Sequence, residues 1–162
     1  HPSLIEKDQM LAQVNGVMNA VMVGSDAAGS TMYYGAGAGA GPTASSVMAD
    51  IIDILRGTKL PDLGFVSLAP AGVLPIEKIR SSYYLRLGVV DQAGVMANVS
   101  TILSRRKISI EALIQKDARR GDAQIVILTN EVLESQIVSA ISEIESNEAV
   151  TSKVSMIRVA NL

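Results

Sequence analysis

The first stretch that could do chemistry is a run of alternating glycine and alanine at residues 35–41. Gly35, Gly37 and Ala40 fit the G-x-G-x-x-A spacing of a dinucleotide-binding turn. That fold also needs a second parallel strand ending in an acidic ribose ligand, and a proline- and glycine-rich segment stands in its place. No Gly-Lys-Ser/Thr closes a P-loop either. The run is therefore either a close-packing segment or one wall of a phosphate or carboxylate site completed elsewhere.

The second stretch is Asp91-Gln92-Ala93-Gly94, called the 91–94 turn below, which joins a predicted strand to a helix beginning at Val95. The free N–H groups and the dipole of a helix N-terminus favour an anion. An amino-acid carboxylate would fit there, with Asp91 or Asn98 available for its ammonium group or a side-chain hydroxyl. The alternative is a plain tight turn in which Asp91 caps the helix.

Residue types suited to catalysis or metal binding are scarce elsewhere. His1 is the only histidine, and the chain has no cysteine. No pair of carboxylates lies beside a lysine or histidine in a pattern that suggests acid–base work. We therefore predict no metal site and no catalytic residue, so the chain by itself is not expected to be an enzyme.

Composition and charge narrow the classes of partner. Apolar residues make up 48% of the chain and the net charge is −2, so a folded core is expected and a nucleic-acid or anionic-membrane partner is not. The cluster Arg105-Arg106-Lys107 is interpreted as a solvated helix end. The charge-poor stretch at residues 9–25 is too short and too polar to span a bilayer. The absence of cysteine and of a signal peptide predicts a cytoplasmic protein, and the start at His1 predicts a piece of a longer one.

Changes in composition predict three sections: residues 1–57, a linker at 58–82, and a domain at 83–160. In the first section, turn-forming residues at 25–29 separate two β-prone runs, which predicts a hairpin. The spacing of Val47, Ile51, Ile54 and Leu55 predicts a helix over residues 42–55 with one apolar stripe.

The third section has the order β-α-β-β-α-β. Strands are predicted at 83–90, 108–114, 123–128 and 153–159, with a hairpin turn at Arg119-Arg120-Gly121-Asp122. The first helix has Val95, Val99, Ile102 and Leu103 on one face, and Thr129 or Asn130 is predicted to cap the second. The fold class is α+β, with a ferredoxin-like antiparallel four-stranded sheet and both helices on one face.

Two parts of the sequence resemble known protein families. Four ordered blocks resemble the carboxy-terminal end of the homoserine dehydrogenase catalytic region: HPS (1–3), VNGVMNAV (14–21), YGAGAG (34–39) and PTASSVMAD (42–50). The resemblance implies an NAD(P)-dependent enzyme that interconverts aspartate semialdehyde and homoserine. It also implies that the cofactor fold and catalytic residues lie upstream, with Gly37, Ala38, Gly39 and Thr43 as positions near the cofactor. Ala36 departs from the proline often found in this motif.

Residues 83–158 resemble an ACT domain, including the D-x-x-G-V pattern of Asp91, Gly94 and Val95. The resemblance implies feedback regulation by an amino acid, usually threonine, held between paired domains in a homo-oligomer. The implied effector-binding residues are Asp91, Gln92, Ala93, Gly94, Val95 and Asn98. This chain alone is then expected to be inactive and to bind no NAD(P). The alternative from another class is a stand-alone amino-acid-binding or oligomerisation module with no enzymatic activity.

Overall fold

The computed structural model describes residues 1–57, 70, 72–117 and 122–160. These divide into two compact units, one made of His1–Ile5 with Gly72–Leu162 and the other of Glu6–Ala71. Most of the predicted linker and most of the turn at Arg119-Arg120-Gly121-Asp122 lie outside the described residues, and the division into 1–57, 58–82 and 83–160 stays a prediction. In chain order the strands and helices are β1 (Ser3–Leu4), β2 (Met18–Ser25), β3 (Gly29–Ala36), α1 (Ala40–Arg56), β4 (Arg80–Val90), α2 (Val95–Arg105), β5 (Ile110–Asp117), β6 (Asp122–Thr129), β7 (Val132–Leu133), α3 (Glu134–Glu145) and β8 (Ser155–Val159).

The described residues of the unit Glu6–Ala71 form a short 3-10 helix at Met10–Gln13, the β2–β3 hairpin and α1. The two strands pair antiparallel from Met18 opposite Ala36 to Ser25 opposite Gly29, as the turn residues between them predict. Helix α1 begins two residues before the predicted start and ends at Gly57, whose φ of 65° lets the chain leave the helix. None of the described residues of this unit is buried, so its apolar stripe has no cover within the described part of the chain.

The other unit is a six-stranded sheet with the order β1-β8-β4-β6-β5, and β7 pairs with the start of β4. Strands β8, β4, β6 and β5 pair antiparallel, as predicted for a ferredoxin-like domain. Strands β1 and β7 were not predicted, since two-residue strands carry no detectable period. Strand β1 runs parallel to β8, with Ser3 opposite Arg158 and Leu4 opposite Val159.

The core lies between the sheet and the two helices α2 and α3. Alternate residues of β4 are fully buried, and α2 buries the four residues predicted from its spacing. Helix α3 buries Ile137, Ala140 and Ile144 at helical spacing, which completes the apolar layer. The α+β ferredoxin-like prediction for this unit is therefore confirmed.

Two local predictions are wrong for physical reasons. Residues 108–114 were predicted as a half-buried strand, but β5 begins at Ile110 and has a bulge between Ile110 and Ala112. After the bulge Ile114 pairs with Val126, whose neighbours Ile125 and Ile127 are the buried residues of β6, so Ile114 lies on the sheet face away from the core and is 53% exposed. Neither Thr129 nor Asn130 caps α3, since β7 intervenes and the Thr129 hydroxyl instead accepts the Tyr83 N–H at 3.1 Å.

Within the described residues, no helix combines the length and the apolar character needed to cross a membrane.

Candidate functional site

The 91–94 turn follows the last residue of β4 and leads directly into α2. The Gln92 N–H donates to the Val90 carbonyl at 2.9 Å, and the Val95 N–H donates to the Gln92 carbonyl at 3.4 Å. Gly94 has a φ of 93°, a left-handed conformation that a residue with a Cβ adopts only at a cost. A glycine is therefore required for the chain to enter the helix by this route.

The N-terminus of α2 is open at this turn. Gly94 is the N-cap, no side chain caps the helix, and the first turn contains no acidic residue. The sequence alternative in which Asp91 caps α2 is therefore wrong. The Asn98 N–H, by contrast, is satisfied by the Gly94 carbonyl at 3.0 Å. Backbone donors of the first turn and the positive end of the helix dipole are thus available to a carboxylate from solvent.

The structure brings the predicted effector-binding residues together at this helix end. Asp91, Gln92, Ala93, Gly94 and Asn98 are exposed, with Asn98 one helical turn beyond Gly94. Val95 is 9% exposed and belongs to the hydrophobic core. Its role is therefore to anchor the turn, while the other five line the open surface.

A loop between α3 and β8 forms hydrogen bonds with the end of β4, just before the 91–94 turn. The Val90 N–H donates to the Ala149 carbonyl at 2.8 Å, and the Thr151 N–H donates to the Gly88 carbonyl at 2.9 Å. A Cβ at Gly88 would lie 2.7 Å from the Ser152 hydroxyl oxygen, so this glycine allows the loop to approach closely. These contacts fix the end of β4 in addition to its pairing with β6.

The predicted cofactor-binding positions lie at the N-terminus of α1, in the other unit. The Gly37 N–H donates to the Val17 carbonyl at 3.0 Å, and a Cβ at Gly37 would lie 1.3 Å from the Asn19 amide nitrogen. Gly39 is the N-cap with a φ of 117°, and it accepts the Thr43 N–H at 3.1 Å. Ala38, between the two glycines, is exposed. No side chain caps α1, so this helix end also presents free backbone donors.

A buried polar cluster of Tyr83, Glu134 and Arg158, called the Glu134 network below, was missed by the sequence reasoning. The Tyr83 hydroxyl donates to Glu134 Oε2 at 2.7 Å, and Arg158 Nε donates to the same oxygen at 2.9 Å. Arg158 Nη2 bonds the other carboxylate oxygen. Burial, reinforced by the hydrogen bond to Glu134, raises the pKa of Tyr83 far above its ordinary value.

One signal for this network was present in the sequence. Arg158 interrupts an otherwise apolar strand, and a charged side chain inside such a strand requires a partner when it is buried. The sequence does not show that Glu134, the first residue of α3, is that partner. Among the residues that the structure describes, no group of histidine or carboxylate side chains could hold a metal ion.

Comparisons with known proteins match both units of the chain. Residues 1–52 match the family model "Homoserine dehydrogenase", and residues 83–149 match "ACT domain". Homoserine dehydrogenases of Pseudomonas aeruginosa and Neisseria gonorrhoeae are 48% and 46% identical over 100% of the chain, which covers 40% and 39% of those proteins. A crystal structure of a homoserine dehydrogenase from Thiobacillus denitrificans is 42% identical with a TM-score of 0.85, over 99% of this chain and 38% of that one. The chain thus spans about two-fifths of the length of these relatives.

Proposed function

Since this chain resembles the C-terminal portion of homoserine dehydrogenases and carries an ACT domain, we propose that it is the regulatory portion of such an enzyme. The whole protein would interconvert aspartate semialdehyde and homoserine with NAD(P)H. The part described here would bind a feedback amino acid and would not catalyse the reaction alone.

The observation that carries the proposal is the uncapped N-terminus of α2 at the 91–94 turn. The effector carboxylate would accept hydrogen bonds from the first-turn N–H groups, where the helix dipole favours negative charge. Asp91, the exposed first residue of the same turn, would bind the ammonium group of the effector. The Asn98 side chain, one turn along α2, would bond a hydroxyl, which favours threonine over isoleucine, methionine and lysine.

A second copy of the chain would complete the site. Among the described strands, β5 pairs only with β6, so its outer edge is open to another strand. Leu113 and Ile114 of β5 are 39% and 53% exposed, which provides apolar surface on both faces of that edge. ACT units paired in this way would form the homo-oligomer in which the effector is held.

The helix end at Gly37, Ala38, Gly39 and Thr43 would form one wall near the nicotinamide of NAD(P) in the whole protein. Its free backbone donors and the absence of side chains at Gly37 and Gly39 support this role. The described residues do not form the rest of a dinucleotide fold, so the chain should neither bind NADPH tightly nor oxidise it with aspartate semialdehyde. Such oxidation by the purified chain would contradict the assignment of catalysis to residues outside it.

Isothermal titration calorimetry with threonine, isoleucine, methionine and lysine tests the effector. We expect threonine to bind and Asp91→Asn to weaken its binding at least tenfold, because a hydrogen bond to a charged group contributes about 1.5–3 kcal/mol. Ser104→Ala, an exposed change at the far end of α2, is the matched control and should leave the affinity unchanged. If none of the four amino acids binds, the regulatory proposal fails and the ACT domain serves assembly alone.

A further inference from the structure

The strand β1 connects two parts of the chain that the family comparison assigns to different domains. Ser3 and Leu4 fall within residues 1–52, the segment that matches homoserine dehydrogenase. In the structure they are nevertheless a strand of the ACT sheet, parallel to β8, and the Ala160 N–H donates to the Leu4 carbonyl at 2.9 Å. Glu6, two residues later, begins the other unit.

One residue of the Glu134 network lies in the sheet directly beside β1. Arg158 of β8 is opposite Ser3 of β1 on one side and opposite Tyr83 of β4 on the other. Its guanidinium reaches Glu134, the first residue of α3, and the two side chains are 13% and 7% exposed. A buried charge pair therefore anchors β8 at the position opposite Ser3.

We propose that β1 is a detachable strand and that the Glu134 network is the latch that holds it on the ACT sheet. The inference rests on the proposed regulatory function, because it identifies where the state of the ACT sheet would reach the homoserine dehydrogenase-like segment. With β1 docked, the chain entering Glu6 is fixed to β8. With β1 released, that chain is free to move while the ACT sheet persists.

Geometry makes β1 the strand that opens first. It pairs over two positions only, whereas β8 pairs with β4 over five, so β8 keeps its place when β1 leaves. Leu4 is 41% exposed and contributes little to the core. Short edge elements with few buried contacts open at a small fraction of the global unfolding free energy.

The latch acts through register rather than through direct contact with the β1 side chains. A buried ion pair tolerates little displacement, because moving one partner leaves the other charge desolvated and unpaired. The Ser81 hydroxyl donates to the Val159 carbonyl at 3.0 Å and adds a second fixed point beside Leu4. The bond between Arg158 and Glu134 therefore steadies the end of β8 whose backbone groups pair with β1.

Residue-resolved amide hydrogen exchange on the full chain tests the strand. In Leu4→Pro, we expect exchange of the Ala160 amide to rise at least tenfold while the amides of Leu85 and Ile127 in the central strands change less than twofold. An equal rise at all three positions would show that β1 is an integral part of the sheet, which would overturn the inference.

The latch is tested with the paired replacement Glu134→Gln/Arg158→Met, which removes both buried charges. Ala160 exchange should again rise at least tenfold, with Leu85 and Ile127 nearly unchanged. The matched control is Glu131→Gln/Arg80→Met, an exposed Arg–Glu pair on the same sheet, which should leave Ala160 unchanged. If the paired replacement does not fold, Arg158→Lys keeps the charge but loses the bidentate geometry and should still accelerate Ala160 exchange.

Unchanged Ala160 exchange in the latch variants would overturn the latch. These outcomes are independent of the effector, since absence of threonine binding refutes the proposed function without altering the exchange pattern. If threonine binds but replacing Arg158 does not change exchange of the Ala160 amide, the proposed function stands and only this inference is refuted.

Discussion

Two Arg–Glu pairs on the ACT sheet provide an internal comparison of burial. Arg158 bonds Glu134 with side chains 13% and 7% exposed, whereas Arg80 bonds Glu131 at 2.8 Å with side chains 59% and 52% exposed. Both pairs join a strand to the region where β7 leads into α3. Replacing each arginine by methionine should therefore lower the free energy of unfolding by different amounts, mainly because only one of the two pairs is desolvated.

Replacing Arg158 alone leaves the Glu134 carboxylate buried with only the Tyr83 hydroxyl as a partner. Breaking a buried pair in this way costs about 3–5 kcal/mol, whereas an exposed pair contributes about 0.2–1 kcal/mol. In a domain of this size the Arg158→Met variant should melt at least about 10 °C lower, and Arg80→Met should melt within a few degrees of the unmodified chain. Replacing Glu134 and Arg158 together should recover most of the loss, because no unpaired charge remains.

Urea denaturation followed by far-ultraviolet circular dichroism measures all four corners of this double-mutant cycle. The expected coupling free energy between Glu134 and Arg158 is at least about 2 kcal/mol. A cost for Arg158→Met no larger than that for Arg80→Met would refute the reasoning. So would strictly additive costs in the double variant.

Three other local features of the structure each have a measurable consequence. Lys107 is a non-glycine residue with a φ of 59°, so Lys107→Gly should raise the urea-unfolding free energy by up to about 1 kcal/mol. Because the pKa of Tyr83 is raised in the fold, the unfolded chain loses its phenolic proton first above about pH 10. Stability should then fall with pH by up to about 1.4 kcal/mol per unit, and thermal melts of Tyr83→Phe should lack this slope. Ile51 and Ile54 of α1 are exposed, so the chain should self-associate, and Ile51→Ser/Ile54→Ser should shift its sedimentation toward smaller species.

Each of these three predictions has a control variant and a result that would contradict it. Lys107→Ala keeps the Cβ and should give no gain, so an equal gain from alanine would contradict the backbone argument. Tyr84→Phe should retain the alkaline slope, and its disappearance there would assign the titration to the wrong tyrosine. Ser46→Ala on α1 should leave association unchanged, and monodisperse monomers in the unmodified chain would contradict exposure of the α1 stripe.

Periodic patterns made most of the ACT unit predictable. The spacing of Val95, Val99, Ile102 and Leu103 determined which face of α2 is buried, because only one side of that helix can contact the sheet. The turn-forming residues ahead of Gly29 likewise predicted the β2–β3 hairpin. The location of the 91–94 turn at a helix N-terminus followed from the same reasoning.

Features that depend on contacts distant in sequence were not predictable. The pairing of Leu4 with Val159 joins opposite ends of the chain, and two residues provide no period from which to infer it. The exposure of Ile114 depends on the bulge between Ile110 and Ala112, which changes the sheet face that the following residues occupy and which the alternation of residues does not reveal. Whether a helix end is capped is also decided by side-chain placement, and here that placement removed the capping alternative for Asp91.

The central claim is that the open N-terminus of α2 binds the carboxylate of a feedback amino acid. Amide chemical shifts of the full chain, followed by nuclear magnetic resonance during a threonine titration, test it most directly. We expect saturable shifts for Gly94 and for the first-turn amides of Met96 and Ala97, with a midpoint at least tenfold higher in threonine concentration for Asp91→Asn. Unshifted amides at these positions under saturating threonine, or shifts confined to another part of the chain, would contradict it.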